Sequence, residues 1–314
     1  MPAHASPIIR SNAMDLAPAL SIGPLLLPIE GRGEDLTYRV TAPAEGDNLP
    51  IILFSHGNGQ SLYTYGPLVN YWASNGFVVI NPTHLDSRMI ALTTDDPRRL
   101  QLWRHREQDI LALLDNLDAI EAAAPFIKSR IDRNRIAVAG HSWGAQTASM
   151  FLGATHPDPD NGSTVSLRDE RVKAGALFAV PGTGGDNLSE FAAQNFPFMH
   201  PDFSELEIST LVVAGDNDNG AMTVRGPDWW REAYDLSPGA KALFEVRGGE
   251  HSLGGIPNYE ARETTDEDPA RVAAVQSLST AFLLSTLSGS DAAWRSAVSD
   301  VTSAAVSQGT IEEK

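Results

Sequence analysis

The pentapeptide Gly140-His141-Ser142-Trp143-Gly144 places one serine between two glycines, where a strand-like segment gives way to helix-compatible residues. A serine hydroxyl attacks an acyl carbon when a neighbouring base takes its proton. A sharp turn from strand to helix exposes such a hydroxyl, and the flanking glycines let both elements approach closely. A plain turn with serine as a helix cap would use the same residues. The pentapeptide therefore predicts a nucleophile at Ser142 and leaves that simpler alternative open.

The serine requires a base, and a histidine in a loop after one of the last strands is the best candidate for it. Three histidines follow Ser142 in the chain: His156, His200 and His251. His251 ends a strand-like run in a glycine-flanked turn, whereas the other two lie in loops beside prolines. We predict that His251 is the base and that His156 and His200 are surface or packing residues.

The base needs a carboxylate to hold its tautomer, and the developing oxyanion needs two backbone N–H donors. The segment after the preceding strand offers Asp216 and Asp218, and the residue types alone leave both possible because aspartate is common in turns. The backbone amides of Trp143 and of Asn58, in "HGNG" after an earlier strand, are the predicted donors. Each of these pieces follows its own strand, and that coincidence favours a nucleophile over a simple turn at Ser142.

The elements that position these residues are strands alternating with helices. Apolar runs predict eight strands, over 19–29, 36–43, 50–57, 77–83, 135–142, 174–182, 210–218 and 240–251. Apolar spacing of three to four residues predicts helices over 63–76, 98–125, 144–154, 226–237 and 269–288. From the third onward the strands are nearly continuous in apolar residues, as in parallel strands covered on both faces. The pattern predicts an α/β fold with right-handed crossovers.

The chain has no repeat and no change of composition that would divide it. We predict one domain over 16–300, a mobile N-terminal segment over 1–15 and a mobile tail over 301–314. The loop 182–207, rich in glycine, proline and aromatics, is the one segment expected to overhang the site, so no large cap domain is expected.

Composition narrows the class of partner. The chain has 23 basic and 40 acidic side chains, a net charge of -17, which disfavours nucleic acid and anionic membrane surfaces. It has no cysteine, which removes disulfides, thiolate zinc sites and a cysteine nucleophile. Prolines interrupt the apolar residues near the N-terminus, so no signal peptide and no stable membrane insertion are expected, and a cytoplasmic location is favoured. The oligomeric state is left open.

Three passages resemble the α/β-hydrolase superfamily, and within it the group of dienelactone-hydrolase-like proteins, platelet-activating-factor acetylhydrolases and chlorophyllases. They are "ILFSHGNGQSLYTYGPLVNYWASNGFVVINPTH", "HREQDILALLDNLDAI" with "RIDRNRIAVAGHSWGAQTA", and "RDERVKAGALFAVPG". The resemblance covers roughly residues 36–285. Alanine replaces the last glycine of the group's common GHSxGG, and the absent cysteine disfavours dienelactone hydrolase activity itself.

The resemblance implies an α/β-hydrolase fold, with a mostly parallel eight-stranded sheet and helices on both faces. It implies Ser142 as nucleophile, His251 as base and Asp218, three residues after the strand-closing Gly215, as acid. It also implies oxyanion donors at Asn58 and Trp143.

The expected activity is a serine esterase that needs no metal or organic cofactor and acts on a small-molecule or lipid-like ester. A lactonase, a polyester hydrolase or an acyltransferase would use the same triad, and a non-catalytic ligand-binding protein can share the fold. The predicted substrate pocket is lined by aromatic side chains, namely Tyr63, Tyr65, Phe196 and Phe198.

Overall fold

The computed structural model describes residues 17–257, 264–304 and 306–314. The strands are β1 (Ala19–Leu27), β2 (Leu36–Pro43), β3 (Leu49–Ser55), β4 (Val78–Thr83), β5 (Ile131–His141), β6 (Thr155–Pro157), β7 (Thr164–Ser166), β8 (Val172–Phe178), β9 (Thr210–Gly215), β10 (Ala240–Val246) and β11 (Gly309–Glu313). The helices are α1 (Gly66–Ser74), α2 (Leu102–Asp115), α3 (Leu117–Ala123), α4 (Trp143–Leu152), α5 (Glu190–Asn195), α6 (Glu232–Leu236), α7 (Pro269–Ser288) and α8 (Ala292–Ser303).

One twisted sheet runs through the described residues in the order β1-β2-β4-β3-β5-β8-β9-β10-β11. The six strands from β4 to β10 in this order are parallel, and the pairs β1–β2, β2–β4 and β10–β11 are antiparallel. Each of the eight predicted strands is present. Parallel strands end at the same edge of the sheet, so the segments after β3, β5, β9 and β10 meet there.

The core lies on both faces of this sheet, because side chains alternate along each strand. In β3, Ile51 and Leu53 face one apolar cluster with α2, α3 and α4, whereas Ile52 and Phe54 face another with α1, α7 and α8. This two-sided burial explains why the central strands read as continuous apolar runs.

One predicted helix is divided in the structure, whereas α7 has its predicted bounds of 269–288. The single helix predicted over 98–125 divides at Asn116, whose side-chain amide donates to the Ala112 carbonyl and so competes with the helical pattern. Helix α7 is long and apolar enough to span a membrane by length and composition. In the protein, however, 56% of that segment is buried, and the helix packs against the sheet.

The C-terminal segment corrects the prediction of a mobile tail over 301–314. The last turn of α8 and the strand β11 fall within it, and β11 pairs antiparallel with β10 as a ninth strand of the sheet. Gly309 starts β11 because a Cβ there would lie 1.9 Å from the Glu245 carbonyl oxygen. The Trp294 indole in α8 donates to the Glu313 carboxylate over 2.7 Å, which ties the strand's end to the helix. The predicted mobile segment over 1–15 lies outside the described residues.

Candidate active site

Ser142 forms the turn between β5 and α4. Its backbone φ is +56° and ψ is -126°, a strained conformation for a residue with a Cβ. A Cβ on Gly140 would lie 2.1 Å from the Gly144 carbonyl oxygen, and one on Gly144 would lie 2.0 Å from that of Ser55. The two glycines are therefore required by close backbone contacts of the turn with itself and with β3.

Ser142, His251 and Asp218 form one hydrogen-bonded chain. His251 Nδ1 lies 2.8 Å from Asp218 Oδ2, and His251 Nε2 lies 2.9 Å from Ser142 Oγ. A carboxylate only accepts, so Nδ1 carries the proton and Nε2 is left to accept from the hydroxyl. The tertiary structure thus brings together three residues that are up to 109 positions apart.

The two aspartates after β9 have different partners. The Asp218 side chain is 1% exposed, and its Oδ1 accepts from the Gly220 amide over 3.1 Å. Trp230 lies against the His251 ring at 4.7 Å between centroids, and its indole donates to the Asp218 carbonyl. Asp216 is exposed and accepts from the Gly248 amide instead.

The loop after β3, residues 56–60 and hereafter the β3 loop, faces the serine. Gly57, Asn58, Ser142 and Trp143 line the same cavity. In the part of the chain that the structure describes, neither the Asn58 amide nor the Trp143 amide donates to a protein acceptor. Two free N–H groups beside a hydroxyl are the arrangement that an oxyanion hole needs.

The comparisons with known proteins agree with this architecture. The Chlorophyllase family model matches residues 34–159, which include the β3 loop and Ser142. The chain is also similar to "Cutinase cut1" of Thermobifida fusca and to "Cutinase" of Thermobifida fusca (strain YX). Each is 26% identical over 218 residues, 69% of this chain and 54% of the relative. The chain thus spans about half the length of these curated relatives. The chain has the α/β-hydrolase fold.

The cavity beside Ser142 has a volume of about 550 Å³. Apolar residues form much of its wall, including Phe191, Phe196, Met199, Met222 and Trp230. Polar side chains also line it, among them Ser142, Arg88, Gln60 and Thr264. A cavity of this size and lining suits an uncharged, partly apolar ligand.

The four predicted pocket residues separate into two pairs. Tyr65 and Phe196 line the cavity. Tyr63 is half exposed and does not line it, since it projects from the turn before α1. Phe198 is buried behind the wall, stacked on Trp143 at 5.0 Å between centroids. For these two residues the prediction is wrong, because aromatic character alone does not set the side on which a loop residue faces.

The superfamily fold also brings His141 into the site, which the sequence interpretation did not assign. His141 Nε2 lies 2.7 Å from the His251 carbonyl, which accepts only, so Nε2 carries the proton. Burial, together with the nearby His251, lowers the pKa of His141 to about 3, so the ring is neutral. Its place in the pentapeptide directly before Ser142 was the available signal.

The other histidines after Ser142 lie apart from the serine. His156 is buried and bonds to Glu107 over 2.8 Å, and His200 is exposed. Among the described residues, no group of three or more His, Asp or Glu side chains is arranged to hold a metal ion.

Proposed function

We propose that this protein hydrolyses carboxylic esters through an acyl-enzyme on Ser142. The observation that carries the proposal is the chain from Asp218 through His251 to Ser142, with donor–acceptor distances of 2.8 and 2.9 Å. The family comparisons support a serine ester hydrolase at the general level.

In the first half of the reaction, Ser142 Oγ attacks the ester carbonyl carbon while His251 Nε2 takes its proton. Asp218 holds the imidazole and stabilises its charged form. The carbonyl oxygen becomes an oxyanion that accepts from the Asn58 and Trp143 amides. His251 then gives the proton to the leaving alcohol as the C–O bond breaks, leaving the acyl group on Ser142.

In the second half, His251 takes a proton from water as the water oxygen attacks the acyl carbon. The same two amides hold the second oxyanion. Collapse of that intermediate releases the acid, and Ser142 recovers its proton from His251. No step requires a metal or a redox cofactor.

The substrate that fits is an uncharged, small-molecule or lipid-like ester. The cavity of about 550 Å³ accommodates an acyl or alcohol group against its apolar wall. The net charge of -17 disfavours substrates with several negative charges.

A p-nitrophenyl ester series of rising acyl length tests the proposal on wild type, Ser142→Ala and the matched control Ser252→Ala, whose serine lines the same cavity. We expect turnover by wild type and by the control, and loss of at least about 10³-fold in kcat for Ser142→Ala. A fluorophosphonate probe should label Ser142 and no other residue, as mapped by peptide mass spectrometry. Unchanged turnover in Ser142→Ala would exclude the nucleophile assignment. Absence of both turnover and labelling in the wild type would favour a non-catalytic binding protein.

A polymeric ester is the second candidate substrate, favoured by the similarity to two proteins named as cutinases. Four exposed apolar side chains support it, because each lies within two positions of a cavity-lining residue: Tyr63, Met89, Phe191 and Val224. Release of soluble acids from an aliphatic polyester film, measured beside tributyrin hydrolysis, distinguishes the two substrate types. Hydrolysis of tributyrin without release from the film would restrict the substrate to small esters.

A further inference from the structure

Arg106, on α2, is a fully buried cation beneath the β3 loop. Its guanidinium makes a bidentate pair with Asp86, with both N–O distances 2.8 Å. It also donates to the carbonyls of His56 over 2.8 Å and Gly57 over 3.2 Å. The plane of the guanidinium lies over the Trp143 ring, 4.4 Å from its centroid. One side chain thus contacts both segments that carry the proposed oxyanion donors.

The neighbours of Arg106 hold the same loop from two further sides. Asp86 Oδ2 accepts from the Gly59 amide over 2.8 Å. His56 Nε2 accepts from the His84 amide, so its Nδ1 carries the proton and donates to the Gly57 carbonyl over 2.7 Å. The peptide groups on both sides of Asn58 are therefore anchored to buried side chains.

Because the peptide bond is planar, fixing the Gly57 carbonyl also fixes the direction of the Asn58 N–H. The Gly57–Asn58 peptide is trans, so its C=O and N–H lie in one plane and point in opposite directions. Arg106 and His56 hold the Gly57 carbonyl toward the protein interior. The Asn58 N–H consequently points away from them, toward the cavity that Gly57 and Asn58 line. Without Arg106 and His56 the Gly57 carbonyl keeps a bond of 3.2 Å from the Gln60 amide, and the peptide is freer to rotate and turn its carbonyl toward the developing oxyanion.

We infer that Arg106, paired with Asp86, is a positioning residue that orients the Asn58 amide toward the oxyanion and supports the Trp143 side of the same hole. The inference rests on the proposed ester hydrolysis. The side chain does not touch the substrate, and its effect passes through the peptide groups of the β3 loop. This stabilisation is larger in the transition state than in the ground state, because the substrate oxygen carries its full negative charge only as the oxyanion forms.

The lysine variant Arg106→Lys retains the charge but has no planar fork to reach the carboxylate and both carbonyls at once. We expect kcat for p-nitrophenyl butyrate to fall about 100-fold with KM changed less than about twofold, the pattern of a lost transition-state interaction. The inhibition constant of a trifluoromethyl ketone, whose adduct carries an oxyanion, should rise by about the same factor.

The Arg32–Asp109 pair offers a matched control, because it is equally buried and has an N–O distance of 2.7 Å. Arg32 donates to the carbonyls of Glu34, Asp35 and Thr83, none of which lies in the β3 loop. Arg32→Lys should lower thermal stability and change kcat and the inhibition constant by less than about threefold, because its link to the β3 loop is indirect, through Asp109 and His84. Equal losses of kcat in Arg32→Lys and Arg106→Lys would overturn the inference, since general loosening of the core would explain both.

Asp86→Asn is the second variant, because Arg106→Lys can fail to fold. It keeps the shape of the side chain but weakens its pair with Arg106, and we expect kcat to fall about tenfold at unchanged KM. Wild-type kcat and inhibition constant in a folded Asp86→Asn or Arg106→Lys would overturn the positioning role. If wild type and Ser142→Ala both lacked turnover, the proposed function itself would fail, and the inference with it.

Discussion

The phenol of Tyr65 and the imidazole of His141 share a hydrogen bond of 2.8 Å that connects two loops of the site. Because His141 Nε2 donates to the His251 carbonyl, its neutral Nδ1 accepts from the Tyr65 hydroxyl. The phenol oxygen in turn accepts from the Gly57 amide over 3.0 Å. The β3 loop is thereby joined to the backbone of His251 through two buried side chains.

Tyr65→Phe removes the centre of this connection. The Gly57 amide and the His141 ring each lose a buried partner, which should lower the free energy of unfolding by about 1–3 kcal/mol. Because the β3 loop and His251 are then less well aligned, we expect kcat to fall about tenfold. Urea denaturation and steady-state kinetics measure the two effects. Tyr38→Phe, in the core of β2, is the control and should keep wild-type kcat. Wild-type kcat in Tyr65→Phe would show that the connection is only structural.

Asp218→Asn tests which aspartate holds the base. The amide would favour the wrong tautomer of His251, so kcat should fall by about 10⁴-fold. Asp216→Asn should stay within about twofold of wild type, since the structure bonds Asp216 to the Gly248 amide rather than to the histidine. The comparison needs only kcat on one activated ester. The reverse order of effects would assign the acid to Asp216.

Phe196→Ala tests whether the apolar wall selects the substrate. Removing the ring enlarges the cavity, and we expect the ratio of kcat/KM for p-nitrophenyl octanoate over butyrate to rise about tenfold. Tyr63→Ala removes an aromatic residue that does not line the cavity and should leave this ratio unchanged. An equal shift in both variants would mean that the exposed rim, and not the wall, makes the selection.

The free energy of unfolding should fall as the pH drops below about 6.5. Burial lowers the pKa of His56, His84 and His141, so the unfolded chain gains three protons there that the folded chain does not. Burial raises the pKa of Asp109 to about 6 and raises that of Glu107, and the Glu107 hydrogen bond outweighs burial to raise the pKa of His156; these three groups oppose the effect in part. The three histidines with a lowered pKa outweigh the opposing groups toward pH 5, where the unfolded histidines are fully charged, and the net slope is on the order of 1 kcal/mol per pH unit.

Urea titrations at pH 7.0, 6.0 and 5.0 measure this slope. His84→Asn should lower by about one the number of protons taken up on unfolding, and the slope should fall accordingly. Replacing the exposed His200 in His200→Asn should leave the slope unchanged. An unfolding free energy that stays constant or rises toward pH 5 would contradict the assignment of neutral buried histidines.

Much of the framework is predictable from local patterns. The eight strands appear where continuous apolar runs predict them, and strand order along the chain predicts that Ser142, Asp218 and His251 follow their own strands. The glycine spacing around Ser142 predicts the strained turn, because few other residues permit such close backbone contact. Arg106 also leaves a local signal, since it falls on the apolar face of α2 that Trp103 and Ile110 define.

The remaining features depend on which distant segments meet. Residue types leave Asp216 and Asp218 equivalent and only the family resemblance favours Asp218, whereas the fold directs Asp218 to His251 and Asp216 to Gly248. The sequence of the tail over 301–314 is polar and predicts a mobile segment. In the structure β11 pairs with the edge strand β10, a contact that the local pattern does not reveal. The sequence by itself determined the strands, the turn at Ser142 and the candidate base, because those follow from periodicity and local backbone sterics. The tertiary structure decided the acid's partner, the cavity wall and the buried anchor of the β3 loop, because these depend on contacts between residues far apart in the chain.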